Sequence, residues 1–156
     1  MEANERREEM SATIVVGVDG SEGAVHALEF AIDEARARHA DVKAVAAWHV
    51  PAAAYETGWA PVSVDPSDYE KIARAGLEKS LALAAAADSG VSVTPIVREG
   101  QAARVLVAEA HDADLLVVGS RGLGGFKGLL LGSVGQQCAH HATCPVAIVP
   151  NGSRAG

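Results

Sequence analysis

Only 4% of the chain is aromatic: two Trp, two Tyr and two Phe among 156 residues. Hydrophobic residues nevertheless make up 49%, so a sizeable core must be built from Ala, Val, Leu and Ile. Cysteine is also scarce. Cys138 and Cys144 are too few for a disulfide framework and point to a reducing, cytoplasmic setting. Positive charge is in the minority, 13 Lys and Arg against 20 Asp and Glu, for a net charge of -7. That argues against a general nucleic-acid binder, which needs a basic face for phosphates. It also disfavours broad attraction to an anionic membrane. No apolar run approaches the roughly 18 residues of a membrane span. Residues 1–11, MEANERREEMS, lack the apolar segment of a secretory signal and read as a solvated tail. Residues 151–156 read as a second tail, leaving one domain over 12–150, in keeping with the length.

What is present alternates. Residues 12–19 (ATIVVGVD) are β-branched and almost continuously apolar, which suits a strand buried on both faces. Similar runs stand at 42–50 (VKAVAAWHV), 91–97 (VSVTPIV), 113–119 (ADLLVVG) and 144–150 (CPVAIVP). Helical patterns lie between them. Ala24, Ala27, Leu28, Ala31, Ile32 and Ala35 form one apolar stripe, with Glu29, Asp33, Glu34 and Arg36 opposite. A second helix is predicted from Ser67, which has capping-box spacing to Glu70, and ends at DSG, residues 88–90. A third covers 101–112, and a fourth runs from about Gly132 to His141. Residues 51–66 contain Pro51, Pro61 and Pro66 with Tyr55 and Trp59, and read as one long surface loop, a lid or a partner contact.

This order predicts an α/β fold, an open, mostly parallel five-stranded sheet with helices on both faces. Ligands of such sheets sit beyond the carboxyl ends of the strands, where strand order reverses. Two connections have suitable chemistry: the turn at Asp19 after the first strand, and the segment after the fourth.

That second segment, GSRGLGGFKGLLLGSVGQQ (119–137), holds seven of the 16 glycines. Ordering glycine costs backbone entropy, so clusters persist where a chain bends sharply or approaches a ligand closely. The segment leaves a buried strand at Val118–Gly119 and enters a helix, where Ser133 and Gln136 have the spacing of a cap and its reciprocal partner. A helix start offers unpaired N–H groups and the positive end of the dipole, both favourable to an anion. The segment's two charged side chains, Arg121 and Lys127, are both positive. These are the ingredients of a phosphate cradle. It is not a P-loop, because the lysine of GFKG has no following Ser or Thr, and it is not G-x-G-x-x-G, because Lys127 stands where the third glycine would be.

What does match is Gly119-x-x-Gly122, nine residues, then Gly132-Ser133: four fixed positions in fifteen. This resembles the ATP-binding motif of the universal stress protein family. IVVGVDGS (14–21) is similar to that family's first strand and its aspartate, WHV (48–50) to the end of its second strand, and CPVAIVP to its last strand. The resemblance implies a Rossmann-like, adenine nucleotide alpha hydrolase-like fold with strand order 3-2-1-4-5. It also implies ATP as ligand. Asp19 would contact the ribose or the adenine edge, Val50 and Val118 the base, and Gly119 the ribose. Gly122, Gly132, Ser133 and Val134 would meet phosphates through N–H groups and the Ser133 hydroxyl. Arg121 and Lys127 lie in the variable part of the motif, so their phosphate contact is inferred from charge. The resemblance further implies a homodimer through the last strand, a regulatory role in stress response and a protein partner of unknown identity.

Phosphate hydrolysis needs a positioned base or water-orienting group, usually with a metal held by carboxylates. Residues 119–137 contain no Asp, Glu or His. Binding without a dedicated catalytic residue is therefore the expectation, with at most weak hydrolysis if Asp19 or Glu22 helps hold Mg²⁺. The alternatives are a slow ATPase or phosphoryl-transfer enzyme, a binder of cyclic AMP or AMP, and a dimerisation module that does not use its motif. Cys138, His140, His141 and Cys144 match no usual zinc spacing, and no metal site is expected there.

Overall fold

The structure, a computed structural model, describes residues 11–56, 65–122 and 131–151. Its elements in chain order begin with β1 (Thr13–Gly17), α1 (Glu22–Arg38), β2 (Asp41–Trp48), α2 (Ala52–Glu56) and α3 (Pro66–Leu83). After a 3-10 turn at Ala86–Asp88 come β3 (Val93–Glu99), α4 (Ala102–Glu109), β4 (Leu115–Gly119), α5 (Ser133–His141) and β5 (Val146–Val149). The strands form one sheet in the order β3-β2-β1-β4-β5, and every pairing is parallel. Both the class and the order are those expected.

The β-branched run explains why β1 is central. Ile14, Val15 and Val16 are fully buried, and Ile14 registers with Val42 on one side and Leu115 on the other. Alternate residues serve alternate faces, the period-2 rule of a strand. Ile14, Val16, Val42, Ala44, Leu115 and Val117 pack with Ala27, Leu28, Ala31 and Ile32 of α1 and Leu77 of α3. Val15, Val45, Leu116 and Val118 pack with Ala103 and Leu106 of α4 and Cys138 of α5. Each fully buried Val, Leu or Ile contributes about 1.5–3 kcal/mol of transfer free energy. The alanines of α1 let that helix lie close to the sheet without large aromatics.

Caps fix the first helix. The Ser21 hydroxyl accepts from the Ala24 N–H at 3.2 Å, and α1 ends at His39 in the left-handed region (φ 53°) with Arg36 and Arg38 in the last turn. Those cations suit the negative end of the helix dipole.

Two expectations are corrected. The third helix is capped by Asp65, not Ser67: the Asp65 carboxylate accepts from the Ser67 N–H at 2.9 Å, and Pro66 takes the first helical position. Proline is favoured there because it has no N–H to leave unpaired. Glu70, the supposed partner in a box, pairs with Arg74 instead. The segment 51–66 is not loop throughout, since α2 occupies Ala52–Glu56; residues 57–64 lie outside the described residues. Among the described residues, no helix is long and apolar enough to cross a membrane.

Candidate functional site

Strand order reverses between β1, whose chain continues to β2, and β4 on its other side. A crevice partly open to solvent lies beyond these strand ends. One wall comes from the end of β1 and the turn into α1: Gly17, Val18, Asp19, Ser21 and Ala24. The facing wall is Val118, Gly119, Arg121 and Gly122. Val45 and Ala47 of β2, Ala102 and Leu106 of α4, and Val134 of α5 complete it.

Asp19 is exposed at the mouth, but its carboxylate is held. Oδ1 accepts from the Ser21 N–H at 3.0 Å and from the Ser21 hydroxyl at 2.5 Å. Ser21 both caps α1 and donates to Asp19. Gly20 makes the turn possible. Its φ of 82° is open to glycine at no steric cost, and its Cα packs against Gly76 of α3.

Across the mouth, Gly122 is where the two walls meet. A Cβ there would come 2.5 Å from Asp19 Oδ2. No real side chain fits at that distance without displacing the carboxylate. A Cβ on Gly119 would lie 3.4 Å from the Gly23 carbonyl oxygen, so the β4 exit passes close to the first turn of α1.

The helix start is arranged differently from expectation. The N-cap of α5 is Gly132, with no side-chain cap; Ser133 is the first helical residue and is exposed. Gln136 does fold back, but its Nε2 donates to the Leu131 carbonyl at 3.0 Å. The Gly132 N–H is engaged by the Ser120 carbonyl at 2.6 Å. The N–H groups that the first turn leaves without an intrahelical partner are those of Ser133, Val134 and Gly135.

Of the residues singled out from sequence, Asp19, Val118, Gly119, Arg121, Gly122 and Val134 line one crevice. Gly132 and Ser133 adjoin it without lining it: a Cβ on Gly132 would lie 3.5 Å from Arg121 Cα and 3.8 Å from the Gly122 nitrogen. Val50 is half-buried and outside the lining. Lys127 lies outside the described residues.

The surroundings of both thiols favour the protonated form. Burial pushes Cys138 up to about 11, and burial followed by the Asp114 charge raises Cys144. A protonated, buried thiol is a poor nucleophile. The His140 and His141 rings are 6.3 Å apart, and among the described residues no three His, Cys, Asp or Glu side chains converge on a metal position.

A family model for the universal stress protein family matches residues 10–150. The chain belongs to the universal stress protein family. It is 37% identical over 137 residues to universal stress protein Rv2623 of Mycobacterium tuberculosis (strain H37Rv), covering 88% of this chain and 44% of that one. Rv2624c of the same organism is 31% identical over 147 residues, with 92% and 50% covered. The chain thus spans about half the length of these curated relatives. Among solved structures, a universal stress protein in complex with cAMP is 31% identical, with a TM-score of 0.62 over 88% of this chain and 95% of that one. UspA from Lactobacillus plantarum has the same fold at 20% identity and a TM-score of 0.70, with 88% and 97% covered.

Sequence reasoning missed part of the crevice in this universal stress protein. Gly17, Val45 and Ala47 continue the period-2 face that also carries Val15, so alternation could have placed them. Ala102 and Leu106 are four apart on α4 and look like any core pair. Ser120, buried behind the crevice directly after β4 and not lining it, carried no signal beyond its neighbours.

Proposed function

We propose that the chain is an adenine-nucleotide-binding module with ATP as its ligand, and that occupancy alters a surface read by a protein partner. The observation that carries this is the meeting of the Asp19 turn and Gly122 across a crevice at the point of strand reversal. In this assignment Val45, Leu106 and Val118 form an apolar floor for the base. Asp19, oriented by Ser21, accepts from the ribose. Gly119 and Gly122 allow the backbone to approach closely, and the first-turn N–H groups of α5 with the Ser133 hydroxyl receive phosphate. Arg121, half-exposed in the facing wall, adds positive charge. The family member solved with cAMP, 31% identical, supports an adenine nucleotide as the ligand class.

Binding, not turnover, is the proposed activity. Among the described residues, the lining holds one carboxylate, Asp19, and no histidine. General-base attack on a phosphate needs a group within about 2.6–3.2 Å of the attacking water. Asp19 is already bonded to Ser21, at the end assigned to the ribose. Mg²⁺ would arrive with the phosphates, with Asp19 and the exposed Glu22 as the nearby carboxylates. A homodimer through β5, a role in stress response and a cytoplasmic setting for the free Cys138 and Cys144 complete the proposal.

Calorimetric titration with ATP, ADP, AMP and cyclic AMP, with and without Mg²⁺, tests it, after any co-purifying nucleotide has been removed. Affinity that rises from AMP to ATP supports a phosphate-reading module. A preference for cyclic AMP, the second reading favoured by the cAMP-bound relative, would keep the adenosine contacts and remove the polyphosphate role. No binding at all would overturn both.

A further inference from the structure

Ser120 is buried behind the crevice, and its three polar groups tie the end of β5 to the start of α5. Its N–H donates to the Val149 carbonyl of β5 at 2.8 Å, and its carbonyl accepts from the Gly132 N–H at 2.6 Å. Its hydroxyl accepts from the Asn151 N–H, just past β5, at 3.2 Å. The Asn151 side chain extends the line to α1: its Oδ1 occupies the space a Cβ on Gly23 would fill, and the Arg121 carbonyl lies 3.2 Å from that same position. The two flanks of the glycine segment, 119–122 and 131–132, are thereby joined through one residue and braced against the first turn of α1.

We propose that Ser120 and Asn151 form a clasp that fixes Gly122 relative to the start of α5, and so act as positioning residues for phosphate. This rests on the nucleotide-binding function proposed above. N–H groups recognise an oxyanion only when held within about 0.5 Å of the productive geometry. Here the groups in question come from two segments, and the described link between them is Ser120. Neither Ser120 nor Asn151 lines the crevice. Because the clasp acts through the Gly132 N–H at the start of α5, its effect should fall on the phosphates and not on the adenosine end.

The full chain and its Ser120→Ala, Ser120→Thr and Asn151→Ala variants are titrated with adenosine, AMP and ATP, and amide exchange at Gly132 and Asn151 is read by NMR. Ser120→Ala leaves the Asn151 N–H without its acceptor and should weaken ATP about tenfold, with adenosine unchanged to within about twofold. The Gly132 and Asn151 amides should exchange faster. Ser120→Thr keeps the hydroxyl and should restore ATP affinity. Asn151→Ala, at an exposed position, should weaken ATP by about threefold with no effect on adenosine. Equal losses for adenosine and ATP, or an unchanged ATP affinity, overturn the clasp. Asn151→Ala keeps the backbone N–H that Ser120 Oγ accepts and removes only the side-chain brace on Gly23; if Ser120→Ala does not fold, Asn151→Pro, which removes that N–H, decides by the same criteria. A wild-type chain that binds none of the three ligands sinks nucleotide binding and the clasp together; a wild type that binds, with indifferent variants, sinks the clasp alone.

Discussion

The two connections that meet at the crevice solve the same problem in opposite ways. Each leads from a central strand into a helix, and each must satisfy or leave open the N–H groups of the helix's first turn. After β1 the chain uses side chains: Ser21 accepts from Ala24, and Asp19 receives both donors of Ser21. After β4 no side chain caps α5, and Gly132 is itself held by Ser120. The first helix start is closed by its own sequence. The second keeps its N–H groups available, beside a wall that carries Arg121. A difference in two capping residues thus supports the proposed placement of the anion on one side of the crevice, opposite the carboxylate.

The sharpest way to break this contrast is to close the second helix start as the first is closed. Gly132 has an ordinary φ of -71°, and among the described residues a Cβ there meets nothing nearer than 3.4 Å, so Gly132→Asp is sterically allowed there. Its carboxylate should take the free N–H groups and stabilise the fold by about 0.5–1 kcal/mol. It should also lower ATP affinity by about 100-fold or more, an expected loss of at least ~2.7 kcal/mol. Calorimetry and urea melts on one preparation would read both signs; tighter ATP binding would contradict the assignment. Next comes Gly122→Val, which forces a side chain onto Asp19 Oδ2. ATP affinity should fall by at least about tenfold, with thermal stability little changed, because Gly122 is exposed. Adenosine should be lost in parallel with ATP, since this change strikes the Asp19 side, and a loss confined to ATP would count against that placement.

Smaller effects test the first connection and the helix behind the second. Ser21→Ala removes the α1 cap and one donor to Asp19, at a cost of about 1 kcal/mol in denaturant unfolding. Unchanged stability would mean that the cap contributes nothing. Cys138, on the inward side of α5, gives a pH signature. Its native-state pKa lies near 11, above the ordinary 9.0, so the folded protein holds the proton more tightly. The resulting stability is complete below the unfolded value and is lost as pH rises from 9 towards 11. Denaturation from pH 8 to pH 10.5 should show the decline, and Cys138→Ala should flatten it relative to wild type.

Much of this was legible before any coordinates. The β-branched runs around Ile14–Val16 and Leu115–Val118 marked the central strands because parallel strands covered on both faces read as unbroken apolar segments. The Ala27–Leu28–Ala31–Ile32 stripe marked the buried side of α1 by its period. Strand order came from family resemblance, since periodicity carries no information about neighbours. The caps were misjudged by one or two residues. Ser67 and Ser133 both have the right chemistry, but Pro66 moves the first boundary back to Asp65, and Gly132 holds the extended geometry at the second. Contacts such as Gly23 with Asn151 join positions far apart in the chain, and no local pattern announces them.

The two rims of the sheet are unlike. β3, VTPIVRE, has Pro95 in place of a donor and ends in Arg98 and Glu99, whereas β5, VAIV, is apolar throughout. Proline and charge discourage a strand from recruiting another, while a short apolar edge invites one. In the language of polymerisation, such a sheet has a valence of one. In the homodimer proposed above, pairing through β5 uses up the apolar edge, so copies that add strand to strand should stop at two and not grow into a fibre.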